Sequence, residues 1–431
     1  MTRGVELGLV TAASLLGAIG IAMVGFSRGS WLDAQVALTF VTFALTFGSL
    51  HLALRAYAVN ASQLLLPISA FLAAIGFVEV YRIDPELAAL QRWSFLAAGA
   101  GGVIVIWLMR NTGVSVLRRY RYLFLAAGLG LLLLPLLPDG WPLHGVTVNG
   151  SRLWMRLDLP FFDRRLSFQP GEIAKVFLTI FLASFLAERA DAMAAAGRRL
   201  GRIRLPEPRH LGPVVIAAIL SFTVLIYQRD LGASLLLFVL VVVMLYVATG
   251  RTLYLVTGLV LTVAGGAAAY AMFGHVQTRV EAWLDPFADY TGAGYQTAQG
   301  LFALGSGSLT GSGLGLGRPD LIPAAATDFV FAAVAEELGL AGSIAVIAAY
   351  TLLITVGFGI ALRARDRFRK YLAAGLTFVV GLQTALILAG VLRLFPLTGI
   401  TLPFMSYGGS SLLASVVIVV LLARVSHEEA T

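Results

Sequence analysis

DFVFAAVAEELGLAGSIAVIAAYTLLITVGFGIA, residues 328–361, is the stretch that decides the fold. A membrane span needs about 20 apolar residues. This run exceeds one span and holds Glu336, Glu337 and Gly339 in its first half. It reads as a short half-helix followed by a full span. Backbone interrupted at membrane depth is tolerated only where protein or a water-filled cavity surrounds it, so the run predicts both a membrane fold and a cavity.

Working outward, similar apolar runs fall at 5–26, 34–57, 62–83, 90–109, 119–137, 171–188, 211–228, 231–249, 253–274, 371–394 and 408–424. With 328–361 they predict an all-α, polytopic membrane helix bundle of about twelve transmembrane helices. Composition agrees: of 431 residues, 58% are hydrophobic and 13% charged, too apolar to clothe a soluble domain. The first run is too long for a signal-peptide core and lacks a cleavage pattern, so it is taken as a span.

The net charge of +8 does not point to nucleic acid. The basic residues sit in short loops: Arg110, Arg118, Arg119 and Arg121; Arg198, Arg199, Arg202, Arg204 and Arg209; Arg363, Arg365, Arg367, Arg369 and Lys370. The positive-inside tendency places these loops, and both termini, in the cytoplasm. Two long extracytoplasmic loops result, 138–170 and 275–327, and long ordered loops tend to carry function. Cysteine is absent and the five histidines are scattered without ligand spacing, which excludes thiol chemistry and disfavours a histidine metal site. No internal repeat of the transporter kind is visible.

Charges within or at the ends of spans are costly, which makes each a functional candidate. Glu172 and Lys175 lie three apart on one helical face; Arg229 and Asp230 occupy a tight outer turn; Asp328 opens the long run; Arg393 closes the eleventh span. The plainer alternative is ion pairs that lock helix to helix. Arginines beside one or two carboxylates on the outer face suit a lipid-linked pyrophosphate, because guanidinium binds phosphate oxygens in bidentate fashion and a partly buried carboxylate can serve as a base toward a sugar hydroxyl. Asp328 is then the base, or orients the acceptor, and Arg152, Lys175, Arg229, Arg279 and Arg318 are the pool of phosphate ligands. GSGSLTGSGLGLG (305–317) lacks the Lys-Ser/Thr ending and the strand context of a nucleotide loop. SYGGSS (406–411) has no base nearby in sequence to make a nucleophile of a serine.

Several ordered motifs resemble those of the SEDS family, the RodA, FtsW and SpoVE group. They are NGSRLW (149–154), SFQPGEIAK (167–175), RDLGASL (229–235), GYQTAQGLFALGSGSLTGSGLG (294–315), TDFVFAAVAEELGLAG (327–342) and FPLTGITLPFMSYGGSSLL (395–413). The resemblance implies a ten-helix core over 62–424, preceded by an extra helix pair (1–57) and followed by a short cytoplasmic tail (425–431). It implies a peptidoglycan glycosyltransferase of the bacterial inner membrane that polymerises lipid II and releases undecaprenyl pyrophosphate, partnered by a class B penicillin-binding protein. It makes the aspartate of TDF, Asp328, essential. It places Glu172, Lys175 and Asp230 in a central cavity, and adds Asp320 eight residues before Asp328. No cofactor is required by sequence, and a divalent cation, magnesium or manganese, is left open. Where the family usually carries an acidic residue and a histidine before TDF, this chain has Ala324 and Ala326. Pro396-Leu397-Thr398-Gly399 favours an elongation (RodA) type over a division type. A lipid II flippase and a non-catalytic scaffold for the penicillin-binding protein are the rival readings.

Overall fold

The structure, a computed structural model, describes residues 3–29, 33–138, 140–148, 151–158, 165–195, 198–200, 203–205 and 208–430. Its helices begin with α1 (Arg3–Ser27), α2 (Ala34–Tyr57), α3 (Leu65–Ile83), α4 (Pro85–Leu108), a short α5 (Ser115–Arg119) and α6 (Arg121–Leu133). Next come α7 (Pro170–Ala195), α8 (Pro208–Tyr227), α9 (Leu231–Thr249), α10 (Thr252–Met272), α11 (Gly274–Leu284) and α12 (Tyr295–Ser306). The last three are α13 (Val330–Arg363), α14 (Arg367–Val391) and α15 (Gly409–Ala430).

Among the described residues, 10 helices are long and apolar enough to cross a membrane, so the chain is a multi-pass membrane protein. The fifth and seventh runs read from the sequence are also helical, but their apolar cores are shorter, Arg121–Leu136 and Val214–Val224. The α geometry of the former stops at Leu133, ahead of Pro135, where a short 3-10 turn takes over; proline cannot continue the helical hydrogen bonding.

The chain divides into two compact units: 1–110, 266–357 and 380–431 form one, and 111–265 with 358–379 the other. In the first, α1 packs on α2 and α3, and α4 packs on α2, α3 and α15. Phe43, Phe47, Phe77 and Phe95, all essentially inaccessible, meet where α2, α3 and α4 cross, with the Phe43 and Phe95 ring centres 4.8 Å apart. Backbones approach closely at small residues, as expected where lipid offers no hydrophobic driving force. A Cβ on Gly76 of α3 would lie 2.3 Å from the Met405 Cα. Helices α1 and α2 also share a buried charge cluster. Glu6 is fully buried and takes an ion pair from Arg3 and a contact from His51 at 3.2 Å. The Arg3 guanidinium also donates to the carbonyls of Ala58, Val59 and Ala61. A carboxylate this deep is tolerable only with such partners.

The interruption expected in 328–361 falls at Gly339, with φ 65° and ψ −163° inside α13. That φ belongs to the left-handed region, which glycine enters without steric cost. The break strands backbone groups, and the glycine-rich segment 305–317 satisfies them. Ser312 N and Gly313 N donate to the carbonyls of Glu336 and Glu337 at 2.9 and 3.0 Å, while Leu340 N and Ala341 N donate to Ser308 and Leu309 at 3.0 and 3.2 Å. Side chains complete the seal: Gly315 N and Arg318 N each donate to a carboxylate, Glu337 and Glu336 respectively, at 2.8 Å. Arg82 of α3 donates to Glu337 at 3.0 Å and to the Gly317 carbonyl at 2.7 Å.

In the second unit α7 packs on α6, α8 and α9, and α8 on α6 and α9. Asp230 caps α9 by accepting from Ala233 N at 2.9 Å, and Gly250, left-handed at φ 69°, ends it. Here the structure adds what a purely helical reading omits. Segment 138–170 holds an antiparallel sheet, β1 (Leu143–Val148), β2 (Ser151–Asp158) and β3 (Arg165–Phe168), in the order β1-β2-β3. A second hairpin pairs β4 (Arg198–Leu200) with β5 (Ile203–Leu205). The sheet had a signal: β1 and β2 flank Asn149-Gly150, a two-residue hairpin signature between β-favouring stretches. The second long segment, 275–327, carries α11 and α12 joined and followed by turns.

Gly339→Ala should lower the thermal unfolding midpoint in detergent, by a cost above about 2 kcal/mol for forcing a side chain into this conformation against the facing loop. An added Cβ would meet Gly311 N at 2.2 Å. Gly359→Ala, in the same helix with nothing within 4 Å of the new methyl, should not lower the midpoint.

Candidate active site

Asp328 lies just ahead of α13, at the end of a turn built on Ala324. Ala324 has φ 55°, and its carbonyl accepts from the backbone N–H groups of Thr327 and Asp328, both at 3.1 Å, and more distantly from that of Phe329. The next residue anchors the turn: the Phe329 ring is fully buried, and a Cβ on Gly300 of α12 would strike it at 2.4 Å. The C-terminal signature holds the other side. Tyr407 N donates to the Ala326 carbonyl at 2.8 Å, and the Ser406 hydroxyl donates to the Thr327 carbonyl while accepting from Leu402 N. Ser406 and Tyr407 of SYGGSS therefore clamp the TDF segment, which gives Ser406 a structural use.

The Asp328 side chain is half-buried in the wall of a cavity of about 220 Å³. Thr278, Arg279, Ala282 and Trp283 line it from one face of α11, Gln296 and Thr297 from α12, Gly390 from the end of α14, and Phe395, Leu397 and Gly399 from the segment that follows. Pockets that engulf a drug-sized molecule start at roughly 300 Å³; this one suits the reacting group of a larger substrate. Asp328 and Arg279 are the charged residues among those lining it. Burial raises the Asp328 carboxyl to about 6, against the lowering influence of the Thr327 side chain and the Arg279 guanidinium. Desolvation disfavours the charged form, and a nearby cation restores part of it. Arg279 is held by donating to the carbonyls of Leu397 and Thr398 at 3.2 and 3.1 Å.

Of the residues chosen from sequence, the structure thus brings Asp328 and Arg279 together. Arg318 and Asp320 form an ion pair at 3.5 Å that is largely exposed, at the short 3-10 turn Pro319–Leu321 and outside the cavity lining. The others belong to the second unit. Glu172 and Lys175 make a buried pair at 2.6 Å at the start of α7, as their spacing predicts. Arg152 N donates to the Gln228 carbonyl and the Ser151 hydroxyl to that of Arg229, both at 3.4 Å, so β2 lies along the turn that carries Arg229 and Asp230. Arg229 is exposed with φ 60°, and Asp230 is buried as a helix cap. The Arg152 guanidinium is engaged by the carbonyls of Leu137, at 2.8 Å, and Gly145.

Trp283, Gln296 and Thr297 were not singled out from the sequence. The two polar residues fall in GYQTAQG, a motif quoted only for its resemblance. Trp283 lines the cavity, whereas Trp93 and Trp141 are exposed. Among the described residues no group of three or more His, Asp or Glu side chains could hold a metal ion.

The family model for FtsW, RodA and SpoVE proteins, described as "Cell cycle protein", matches residues 62–431. The peptidoglycan glycosyltransferase RodA of Mycobacterium tuberculosis is 39% identical over 436 residues, covering 99% of this chain and 90% of that protein. That match takes in α1 and α2, which the family model leaves out. Stage V sporulation protein E of Bacillus subtilis is 31% identical, covering 84% of this chain and 96% of the relative. A solved chain from "Structural coordination of polymerization and crosslinking by a peptidoglycan synthase complex" superposes with a TM-score of 0.66 at 27% identity, covering 86% of this chain and 98% of its own. The crystal structure of the Thermus thermophilus rod shape determining protein RodA gives a TM-score of 0.58 at 25% identity, with the same coverage. Matched by the family model from residue 62 onward and by a relative along nearly its whole length, the chain belongs to the SEDS family, the FtsW, RodA and SpoVE group.

Proposed function

We propose that this chain is a peptidoglycan glycosyltransferase that joins lipid II units into glycan strands on the outer face of the bacterial inner membrane, for cell elongation and shape. The observation that carries the reading is a half-buried carboxylate, Asp328, sharing one cavity with the Arg279 guanidinium. Both lie in or beside the segments that positive-inside counting puts on the outer face. The names of the relatives support the activity, and the likeness to a chain from a synthase complex supports a class B penicillin-binding protein as the transpeptidase partner. Both termini are then cytoplasmic.

In the proposed step a sugar hydroxyl of one chain end attacks the anomeric carbon of another. The new C–O bond forms as the bond from that carbon to the lipid pyrophosphate breaks. The hydroxyl proton passes to the Asp328 carboxylate, and the leaving pyrophosphate keeps the electron pair. Arg279 stabilises the charge developing beside it, most effectively in a site shielded from water. The bond that breaks is already activated, so no resident cofactor is part of the proposal. A divalent cation, if used, enters with the pyrophosphate.

Purified chain with its transpeptidase partner should polymerise lipid II in detergent, and Asp328→Asn should lower the rate by roughly 10²- to 10⁴-fold. Detergent abolishes sidedness, so polymer formed there speaks against a purely transporting role. Full activity of the Asn variant would remove Asp328 from the chemistry.

The pH dependence follows from the direction of the Asp328 shift. The base works as carboxylate, so the rate should fall as pH drops through about 6. Arg279→Gln removes a charge that lowers this value, so the midpoint of the acid limb should move upward and the maximal rate fall roughly 10²-fold. A downward or absent displacement in a pH–rate series would contradict the pairing.

A further inference from the structure

Helix α14 ends at Val391, and Arg393 occupies the left-handed position that follows, with φ 58°. Its N–H donates to the Gly390 carbonyl at 3.2 Å, and Leu394 N donates to Ala389 at 2.7 Å. These two bonds form a Schellman turn, whose left-handed position is ordinarily glycine. An arginine there is a strained choice, and such outliers point to a use for the side chain. The use is visible: Arg393 Nε donates to the Trp283 carbonyl at 2.8 Å, and its Nη2 donates to the Leu284 carbonyl. Both are stranded carbonyls of the last turn of α11, the negative end of that helix, where a cation is favoured. The Trp283 indole returns a bond to the Arg393 carbonyl at 3.1 Å. One residue therefore ends two helices, α14 with its backbone and α11 with its side chain.

One turn earlier on α11, Arg279 reaches the opposite way, to the carbonyls of Leu397 and Thr398. The two arginines clasp α11 and segment 393–399 reciprocally, and these two pieces supply facing walls of the Asp328 cavity. We propose that Arg393 is a positioning residue: by capping α11 it holds Arg279 in place beside Asp328. The proposal rests on the assignment of Asp328 as base with Arg279 as its charge partner. Arg393 is not itself among the residues lining the cavity; it acts through α11, whose Trp283 it holds at the cavity wall.

Arg393→Gly is the decisive variant, because glycine suits the backbone at this position and the fold should survive. Two measurements on the full chain are needed: hydrogen exchange across residues 274–284, and the pH dependence of lipid II polymerisation in complex with the partner. The expected result is faster exchange in the last turn of α11, turnover lowered about tenfold by the looser cavity, and an acid limb moved upward as Arg279 loses its hold on Asp328. Arg393→Lys, which keeps a cation near the α11 carbonyls, should recover part of the turnover. Wild-type exchange in α11, or a wild-type acid limb in the Gly variant, would overturn the proposal. If Asp328→Asn proves fully active, the base assignment fails instead, and exchange in α11 alone then decides whether Arg393 holds that helix.

Discussion

Backbone polar groups cannot be left bare at membrane depth, and the architecture around α13 answers to that constraint. Breaking a helix at Gly339 strands carbonyls on one side and N–H groups on the other. Segment 305–317 satisfies both sets with its own backbone, and the two carboxylates beside the break bind back to the same segment. Each unsatisfied group in such a setting costs several kcal/mol, so the break and its glycine-rich cover stand or fall together. What looks in sequence like a phosphate-binding loop is the complement of a helix that stops and restarts.

The same economy governs the aspartate nine residues ahead of Glu337. A carboxylate that is to act as a base needs burial enough to raise its pKa and structure enough to keep it aimed. The turn on Ala324, the buried Phe329 ring and the clamp from Ser406 and Tyr407 supply the aim. The family's usual acidic and histidine positions are alanines here, and the turn is nevertheless closed by backbone hydrogen bonds. Residues 324 and 326 thus contribute through their carbonyls, which any side chain leaves available.

Arginine is used repeatedly in this chain to hold backbone. Arg3, Arg82, Arg152, Arg279 and Arg393 each donate to main-chain carbonyls at turns or helix ends. A five-donor planar cation can satisfy several stranded carbonyls at once, which a lysine cannot. Counting arginines in the long loops therefore overstates the number available to bind a ligand. Arg279 stands apart because it also lies in a cavity with a carboxylate.

Much of this protein was legible in its residues. Length and apolarity of the runs predict the helices, because a span has to satisfy its own backbone and face lipid. The three-residue spacing of Glu172 and Lys175 predicts their pair, because helical geometry is local. Gly339 marks the break, because no other residue enters that conformation so cheaply. The elements that escaped are those whose partners are distant in sequence: Arg393 with the end of α11, Ser406 with Thr327, the glycine-rich segment with α13, and Trp283 in a cavity wall. The sheet in 138–170 escaped for a different reason, since its Asn-Gly signal was outweighed by a helical reading of the whole. Sequence alone determined the membrane class, the helix positions and the suspicion falling on Asp328, all of which follow from local hydropathy and the cost of a misplaced charge. Only the tertiary structure decided which cation stands beside that aspartate, because long-range hydrogen bonds, and not spacing along the chain, set where each guanidinium goes.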